Sequence, residues 1–240
     1  MLSKNEVKYI QSLYHKKMRD EKNVFVVEGA KIVTELLRSN FIIKKIYAVK
    51  NFIAEMPCSS AFCEVSDMEL KKISRLETPN QAVAIVGKKS FSEPVFLNQI
   101  ILALDGIQDP GNMGTIIRTA DWFGLQQIVA SEDSADCYNP KVVQATMGSI
   151  FRVSVQYKNL ENFLSDCKVK TYGALLQGKN IWQQPSIAEG VLVIGNESKG
   201  IRENIKPYIG EALAIPAFGK AESLNAAVAT GIILSHLIKK

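Results

Sequence analysis

The chain has 240 residues, enough for one or two domains with a buried core. Hydrophobic residues make up 47% and charged residues 22%, with 15 Gly and 8 Pro, which excludes collagen-like, coiled-coil and disordered chains. No apolar stretch approaches the ~18 residues that a membrane helix needs. The first residues also lack the apolar segment and cleavage site of a signal peptide. We therefore expect a cytoplasmic protein.

The cysteines and histidines are too dispersed to bind zinc. Cys58 and Cys63 are the closest cysteine pair, and His15 and His236 are the only histidines. No ligand spacing of a zinc site can be assembled from them. We expect reduced thiols and no metal.

Positive charge is concentrated in the first part of the chain. Residues 1–87 contain 14 Lys and Arg against 10 Asp and Glu, whereas residues 88–240 contain 15 against 14. A basic N-terminal part is typical of a protein that binds a phosphate backbone. The alternative is an ordinary solvated face rich in lysine.

The first part alternates short strands and helices. Its predicted strands are 24–28, 42–49 and 82–86, and its predicted helices begin after Gly29 and, behind a Ser66 cap, at Asp67. The segment 88–96 mixes Gly, Ser, Pro and charge, as linkers do. We therefore predict a first domain at 1–87, a linker at 88–96 and a second domain at 97–240.

The second part repeats the alternation at higher hydrophobicity. Strands are predicted at 100–104, 127–130, 152–156, 171–176 and 191–194, and helices at 115–123, 140–148, 160–167 and 223–238. Strands that alternate with helices predict an α/β fold with a mostly parallel sheet. The last helix is apolar on almost every face, so we interpret it as shared with a second subunit. A core helix within one chain is the alternative.

Three segments follow predicted strands and contain polar residues suited to chemistry. In the first, LDGIQDPGNMGTIIRTADWFG (104–124), the predicted helix begins after a turn rich in Gly and Asn. Backbone amides at such a turn can bind an anion, and Arg118 in the first helical turn would face it. The spacing matches neither dinucleotide nor P-loop fingerprints. A turn without a ligand is the alternative.

The second segment, VLVIGNESKGI (191–201), is a strand that runs into a glycine loop, where open α/β sheets bind ligands. Glu197 would lie at the rim of that cleft, and a helix is predicted from Gly200. In the third segment, AIPAFGKAESLNAAVATGI (214–232), Ser223 is predicted to cap the final helix.

Together, the three segments resemble the SpoU (TrmH) branch of the SPOUT RNA methyltransferases. The resemblance covers about the last 140 residues, and a weaker one over 5–86 is to the ribosomal-protein-like RNA substrate-binding domain of that family. The matching positions are Asn112, Gly114 and Arg118 in the first segment, Gly195, Asn196, Glu197 and Gly200 in the second, and Ile215, Pro216, Ser223, Leu224 and Asn225 in the third.

The resemblance implies a trefoil-knotted C-terminal domain that acts as a homodimer. It implies S-adenosylmethionine as cofactor and methylation of a ribose 2′-hydroxyl in RNA, with ribosomal RNA favoured over transfer RNA. Its cofactor residues are Gly195, Ile215, Leu224, Asn196 and Gly200, and its catalytic residues are Arg118, Asn112, Glu197, Ser223 and Asn225.

The residue types suggest how those roles divide. An arginine stays protonated, so we expect Arg118 to orient the hydroxyl and a phosphate, held by Glu197. Asn112 and Ser223 are expected to hold the ribose, and Asn225 to tie the loops together. A non-catalytic RNA-binding protein with the same fold is the alternative, and an oxidoreductase is disfavoured because GxGxxG is absent.

Overall fold

The first part of the chain forms short helices and strands around a small sheet. The computed structural model describes residues 2–57 and 61–238, so Cys58 lies outside the described residues. Cys63, Cys137 and Cys167 form no disulfide. The elements are α1 (Lys4–Ser12), α2 (Lys16–Lys22), β1 (Val24–Glu28), α3 (Ala30–Leu37), β2 (Ile43–Ala48), α4 (Lys50–Ala54), β3 (Phe62–Glu64), α5 (Asp67–Ile73) and β4 (Ala82–Gly87).

The sheet of this part is mixed, with the order β1-β4-β2-β3. Strand β4 pairs antiparallel with both β1 and β2, and only β2 and β3 are parallel. The first part thus differs from the mostly parallel sheet that alternating strands and helices predict. The reason is that β1 and β4 are buried along their whole length, and a continuous apolar run carries no information on strand direction.

Helix α5 begins where the sequence predicts it. The Ser66 hydroxyl accepts a hydrogen bond from the backbone N–H of Glu69, and the Glu69 carboxylate accepts one from the backbone N–H of Ser66. This reciprocal capping box satisfies two donors that the helix leaves unpaired. Leu70 and Ile73 then pack in one core with Ile10 of α1 and with Leu13, the residue that directly follows α1.

The second part of the chain is built on a parallel sheet. Its elements are β5 (Ile100–Asp105), α6 (Pro110–Trp122), β6 (Gln127–Ser131), α7 (Pro140–Thr146), β7 (Ser154–Lys158), α8 (Leu160–Ser165), β8 (Thr171–Asn180), β9 (Gly190–Gly195), β10 (Glu211–Ala214) and α9 (Ala226–Leu237). Short 3-10 helices cover Ser149–Phe151, Ile181–Gln183 and Lys206–Tyr208. The six strands lie in the order β10-β8-β9-β5-β6-β7, and every ladder is parallel, as predicted.

Two predicted helix starts are wrong, and one predicted helix does not form. Helix α6 begins at Pro110 rather than Thr115, because Asp109 caps it and proline is well suited to the first helical position. Helix α9 begins at Ala226 behind an Asn225 cap, not at Ser223. No α-helix follows Gly200, because the chain there folds back on Asn196 in an antiparallel bridge.

Two compact units divide the described chain. One unit contains the residues up to Ser90 together with Tyr138–Phe151, and the other contains Phe91–Cys137 and the chain from Arg152 onward. Helix α7 packs on β1, and the rings of Tyr138 and Phe25 lie 4.5 Å apart. The segment 88–96 forms neither helix nor strand. The limits of the functional domains themselves stay a prediction.

Candidate active site

The three segments singled out by the sequence follow strands that end at one edge of the parallel sheet. Strand β5 ends at Asp105, β9 at Gly195 and β10 at Ala214. Because the strands are parallel, their carboxyl ends share an edge, which is where ligands bind in α/β sheets. The topology thus gathers all three segments.

A chain of two hydrogen bonds links the three segments directly. The side-chain amide of Asn112 donates to Glu197 Oε1 at 2.5 Å. The Asn112 carbonyl oxygen accepts from Nδ2 of Asn225 at 2.8 Å. Asn112 therefore bridges the first segment to both of the others.

The first turn of α6 holds Asn112 in place. The Asp109 carboxylate caps the helix and accepts a hydrogen bond from the backbone N–H of Asn112 at 2.8 Å. The glycine-rich stretch expected to be a loop is therefore helical, and Gly114 is buried within it. The site consequently uses the first turn of a helix where the sequence predicts a turn rich in Gly and Asn.

The second segment is a tight turn that requires glycine. A Cβ on Gly195 would lie 2.3 Å from the carbonyl carbon of Gly200 and from the backbone nitrogen of Ile201, so only glycine fits. Gly200 has φ of +66°, in the left-handed region that favours glycine. Asn196 fixes the turn, because its amide donates to Gly106 O while its carbonyl oxygen accepts from the backbone of Ser198 and Lys199.

Asp105 and Arg202 form an ion pair that the sequence analysis missed. Asp105 is 1% exposed, and its carboxylate accepts from the backbone N–H of Arg202 at 2.7 Å and from its Nε at 2.5 Å. This bonding to Asp105 raises the pKa of the Arg202 guanidinium. The signal was an acidic residue directly after a buried strand, where an unpaired charge would be costly. The pair anchors the second segment to the end of β5.

The third segment offers unpaired backbone groups beside partly exposed apolar side chains. Asn225 caps α9 by accepting from the backbone of Ala227 and Val228. In the described chain, no hydrogen bond between backbone groups joins residues 215–224 to other residues. Ile215 is half-buried and Leu224 is exposed. Ser223 is also exposed and makes no hydrogen bond with residues 2–57 or 61–238, so its predicted capping role is wrong.

Arg118 points away from this cluster. It lies in the third turn of α6 rather than the first, is exposed, and forms no ion pair or hydrogen bond within the described residues. The expected bond from Glu197 to Arg118 is absent there, since Glu197 Oε1 accepts from Asn112. Arg118 lies six positions after Asn112 in the helix, which corresponds to a net rotation of about 240° and a rise of about 9 Å. The two side chains therefore leave α6 in different directions.

Several apolar side chains that lie close in sequence to the polar cluster are exposed. Trp122 of α6 is 85% exposed, and Phe218 of the third segment is 95% exposed. Val228 on the first turn of α9 is half-exposed. Ile233 and Leu237 of the same helix are buried within their own chain, so the core role explains that part of α9.

Residues 2–57 and 61–238 contain neither a cluster of metal ligands nor a helix that could span a membrane. No group of three or more His, Cys, Asp and Glu side chains is placed to hold a metal ion. None of the helices combines the length and apolarity needed to cross a bilayer.

The fold and the linked segments are those of a methyltransferase class. The chain belongs to the SpoU rRNA Methylase family, whose model matches residues 99–235. A second model, the MRM3-like substrate binding domain, matches residues 4–84. The family resemblance stated from the three segments is thereby confirmed.

Individual relatives match almost the whole chain. The 23S rRNA (guanosine(2553)-2′-O)-methyltransferase RlmP of Bacillus subtilis is 34% identical over 98% of this chain and 97% of its own. A TrmH-family protein of Porphyromonas gingivalis is 36% identical over 99% of this chain and 98% of its own, with a TM-score of 0.89. The AdoMet-bound rRNA methyltransferase of Sinorhizobium meliloti is 32% identical over 100% of this chain and 97% of its own, with a TM-score of 0.87.

Proposed function

We propose that this protein transfers the methyl group of S-adenosylmethionine to a ribose 2′-hydroxyl of 23S ribosomal RNA. The observation that carries the proposal is the hydrogen-bonded bridge from Asn225 through Asn112 to Glu197, which joins three segments of a methylase family. The relative from Bacillus subtilis, which matches over nearly all of both chains, is named for this reaction on a guanosine of 23S rRNA.

The second and third segments would hold the cofactor, and their chemistry fits it. Unpaired backbone groups at 215–224 can recognise the adenine edge and the amino-acid end, while Ile215 and Leu224 offer apolar surface to the ring. Gly195, Asn196 and Gly200 would supply the opposite wall, which is already fixed by hydrogen bonds. When bound, S-adenosylmethionine supplies an electrophilic methyl group on a positively charged sulfur.

The polar cluster would hold the ribose. Within the described chain, Glu197 Oε2 has no hydrogen-bond partner, so it is available to accept from a ribose hydroxyl. Asn112 fixes the orientation of Glu197 through the other oxygen. Ser223, exposed and without a partner in the described residues, would bond the ribose or its neighbour. The hydroxyl must lose its proton as its oxygen attacks, and Glu197 Oε2 would accept that proton.

Arg118 would act on the same hydroxyl in a dimer. Its direction on α6 keeps it from the Asn112 cluster of its own chain, and a second copy would bring an arginine to each site. Trp122, Phe218 and Val228 are exposed apolar side chains that a contact between two subunits would bury. There Arg118 would orient the hydroxyl and an adjacent phosphate, because a guanidinium is a fork of donors and a poor base.

Val228→Asp tests the dimer. Light scattering should give a dimer for the wild type and a monomer for this variant, since a charge at a packed apolar contact is destabilising. Ile233 and Leu237 are unsuitable probes, because both are buried within the chain and their replacement would unfold it. A wild-type monomer that methylates RNA at full rate would contradict the dimer.

The trefoil knot is the remaining structural proposal. Strand β10 is three positions from β5 in the sheet, about 14 Å away. Yet Asn225, only eleven residues after β10, bonds to Asn112 beyond β5. The chain must therefore return across the ends of β8 and β9, as a knotted path would require.

A comparison of RNA with and without the gene tests the function. We expect cytoplasmic 23S rRNA to lose one ribose 2′-O-methyl group when the gene is deleted, and to regain it with the wild-type gene but not with Arg118→Ala. A methyl group lost from transfer RNA instead would reassign the substrate. Unchanged RNA methylation would refute the proposal.

A further inference from the structure

We propose that a basic cleft in the first unit binds the phosphate backbone of the substrate RNA. The cleft has a volume of about 520 Å³ and lies between α1 with its following turn and the end of α5. The proposal rests on the proposed function, since it assigns a docking site to the same RNA. We define the cleft by its basic rim, Lys8, Lys72 and Arg75, with Gln11, Ser12 and Tyr14 on its walls.

The rim is positively charged and has no acidic partner. Lys8, Lys72 and Arg75 are exposed, and within the described residues none of them forms an ion pair. Among the residues that the structure describes, no Asp or Glu lines the cleft. By contrast, Lys16, Lys45 and Lys88 of the same unit are each paired with a carboxylate. Charges left unpaired around one concave surface favour an anionic ligand.

The floor of the cleft is rigid because a buried carboxylate organises it. Glu28 accepts from the Tyr14 hydroxyl at 2.8 Å, from the Ser74 hydroxyl at 2.5 Å and from the backbone N–H of Arg75 at 3.1 Å. The Gln11 side chain donates to the carbonyl of Lys72 at 2.8 Å and ties α1 to α5. Because the floor is already fixed, the backbones that carry the basic side chains need not become ordered when a ligand binds. Binding then avoids that entropic cost.

The position and chemistry of Arg75 suit contact with RNA. Its guanidinium lies 4.7 Å from the centre of the Tyr14 ring, which positions the side chain without neutralising it. A guanidinium plane can donate to phosphate oxygens and can stack on an unpaired base, and both are common in RNA recognition. The domain model that matches residues 4–84 is that of a substrate binding domain.

Two matched triple variants of the full chain test the cleft. One variant carries Lys8→Gln, Lys72→Gln and Arg75→Gln. The control carries Lys31→Gln, Lys44→Gln and Lys50→Gln, three exposed lysines of the same unit that do not line the cleft. The probe is a 23S rRNA fragment centred on guanosine 2553, the nucleotide for which the Bacillus subtilis relative is named. Its Kd is measured at several salt concentrations.

We expect the cleft variant to bind about tenfold or more weakly, with a salt dependence reduced by about two ion equivalents, since each phosphate contact on a single strand contributes ~0.7. The control should change Kd less than the cleft variant at every salt concentration. Equal losses in both variants, or unchanged binding in the cleft variant, would overturn the proposal. If the triple variant melts at lower temperature, Lys8→Gln with Lys72→Gln keeps Arg75 on Tyr14 and must still weaken binding more than the matched pair Lys44→Gln with Lys50→Gln.

Methyl transfer to the same fragment separates this proposal from the proposed function. At saturating RNA the cleft variant should reach the wild-type maximal rate, because its residues act on binding only. If the wild type binds the fragment through the cleft but transfers no methyl group, the proposed function fails and the cleft stands. If transfer occurs and the cleft variant binds normally, the cleft fails alone.

Discussion

The two units of the molecule use polar side chains in opposite ways. In the second unit, Asn112, Glu197 and Asn225 are bonded to one another, and Asp105 holds Arg202. In the first unit, the charged rim of the cleft makes no such bonds among the described residues, and a buried Glu28 holds only the floor. Catalysis requires polar groups that are held in fixed positions, as the hydrogen-bonded side chains of the second unit are. Attraction of a polyanion such as RNA requires cations that are not already neutralised, as at the rim of the cleft.

This contrast predicts that substitutions in the two units separate rate from affinity. Changes in the second unit should alter methyl transfer or cofactor binding and leave RNA affinity nearly intact. Changes at the cleft should do the reverse.

Arg118→Ala should have the largest effect on rate. An interaction made mainly in the transition state lowers turnover and spares ground-state binding. We expect a loss of about 10²-fold or more in single-turnover methylation, with near-normal affinity for S-adenosylmethionine. Arg118→Lys keeps the charge but lacks the planar fork, so it should recover little activity. A rate loss explained wholly by weaker cofactor binding would remove Arg118 from the mechanism.

Gly195→Ala should have the next largest effect, on cofactor binding. The added methyl group would meet the backbone of Gly200 and Ile201, so the turn must shift. We expect S-adenosylhomocysteine to bind about tenfold or more weakly, and the free energy of unfolding to fall by about 1–3 kcal/mol. The control is Gly231→Ala, whose methyl group meets Thr119 at an ordinary 3.9 Å. Calorimetry and denaturant unfolding measure both; equal results for the two variants would disprove the steric argument.

Two substitutions at Asn225 should separate its role as the N-cap of α9 from its hydrogen bond to Asn112. Asn225→Asp keeps an oxygen that can cap α9 but replaces the amide that donates to Asn112, so it should fold normally and transfer methyl about tenfold more slowly. Asn225→Ala removes both functions and should also lose about 0.5–2 kcal/mol of unfolding free energy. Thermal melts beside single-turnover rates distinguish them. Wild-type rates in Asn225→Asp would mean that the bridge is incidental.

Removal of metal ions should have no effect. The sequence lacks a zinc-ligand spacing, and methyl transfer from a sulfonium needs no Lewis acid. We expect equal S-adenosylhomocysteine affinity and equal methylation rates with and without EDTA. Loss of cofactor binding in EDTA, restored by one divalent metal, would contradict the expectation.

Much of the second unit could be predicted from the sequence because its signals are local. The buried strands 100–105 and 190–195 appear as apolar runs, and glycines mark the turns after them. The start of α6 was misplaced because Gly111, Asn112 and Gly114 have low helix propensity, and the Asp109 cap with Pro110 outweighs it.

Side-chain partnerships were harder to predict because they are set by topology. Asp105 and Arg202 are distant in sequence, and only the parallel order of β5 and β9 brings them together. The direction of Arg118 relative to Asn112 likewise depends on where α6 begins. Because the helix starts at Pro110 and not at Thr115, it includes Asn112, and Arg118 lies in its third turn. The cleft of the first unit was foreseen only as an excess of positive charge, because charge counts do not show which lysines are paired.

Single-turnover transfer from methyl-labelled S-adenosylmethionine to a 23S rRNA fragment tests directly whether the protein methylates a ribose hydroxyl. The RNA is then digested, and the labelled nucleoside is identified by mass spectrometry. We expect one labelled ribose 2′-O-methyl nucleoside, formed by the wild type and reduced about 10²-fold in Arg118→Ala. Label on a base, or ribose label formed equally by Arg118→Ala, would contradict it.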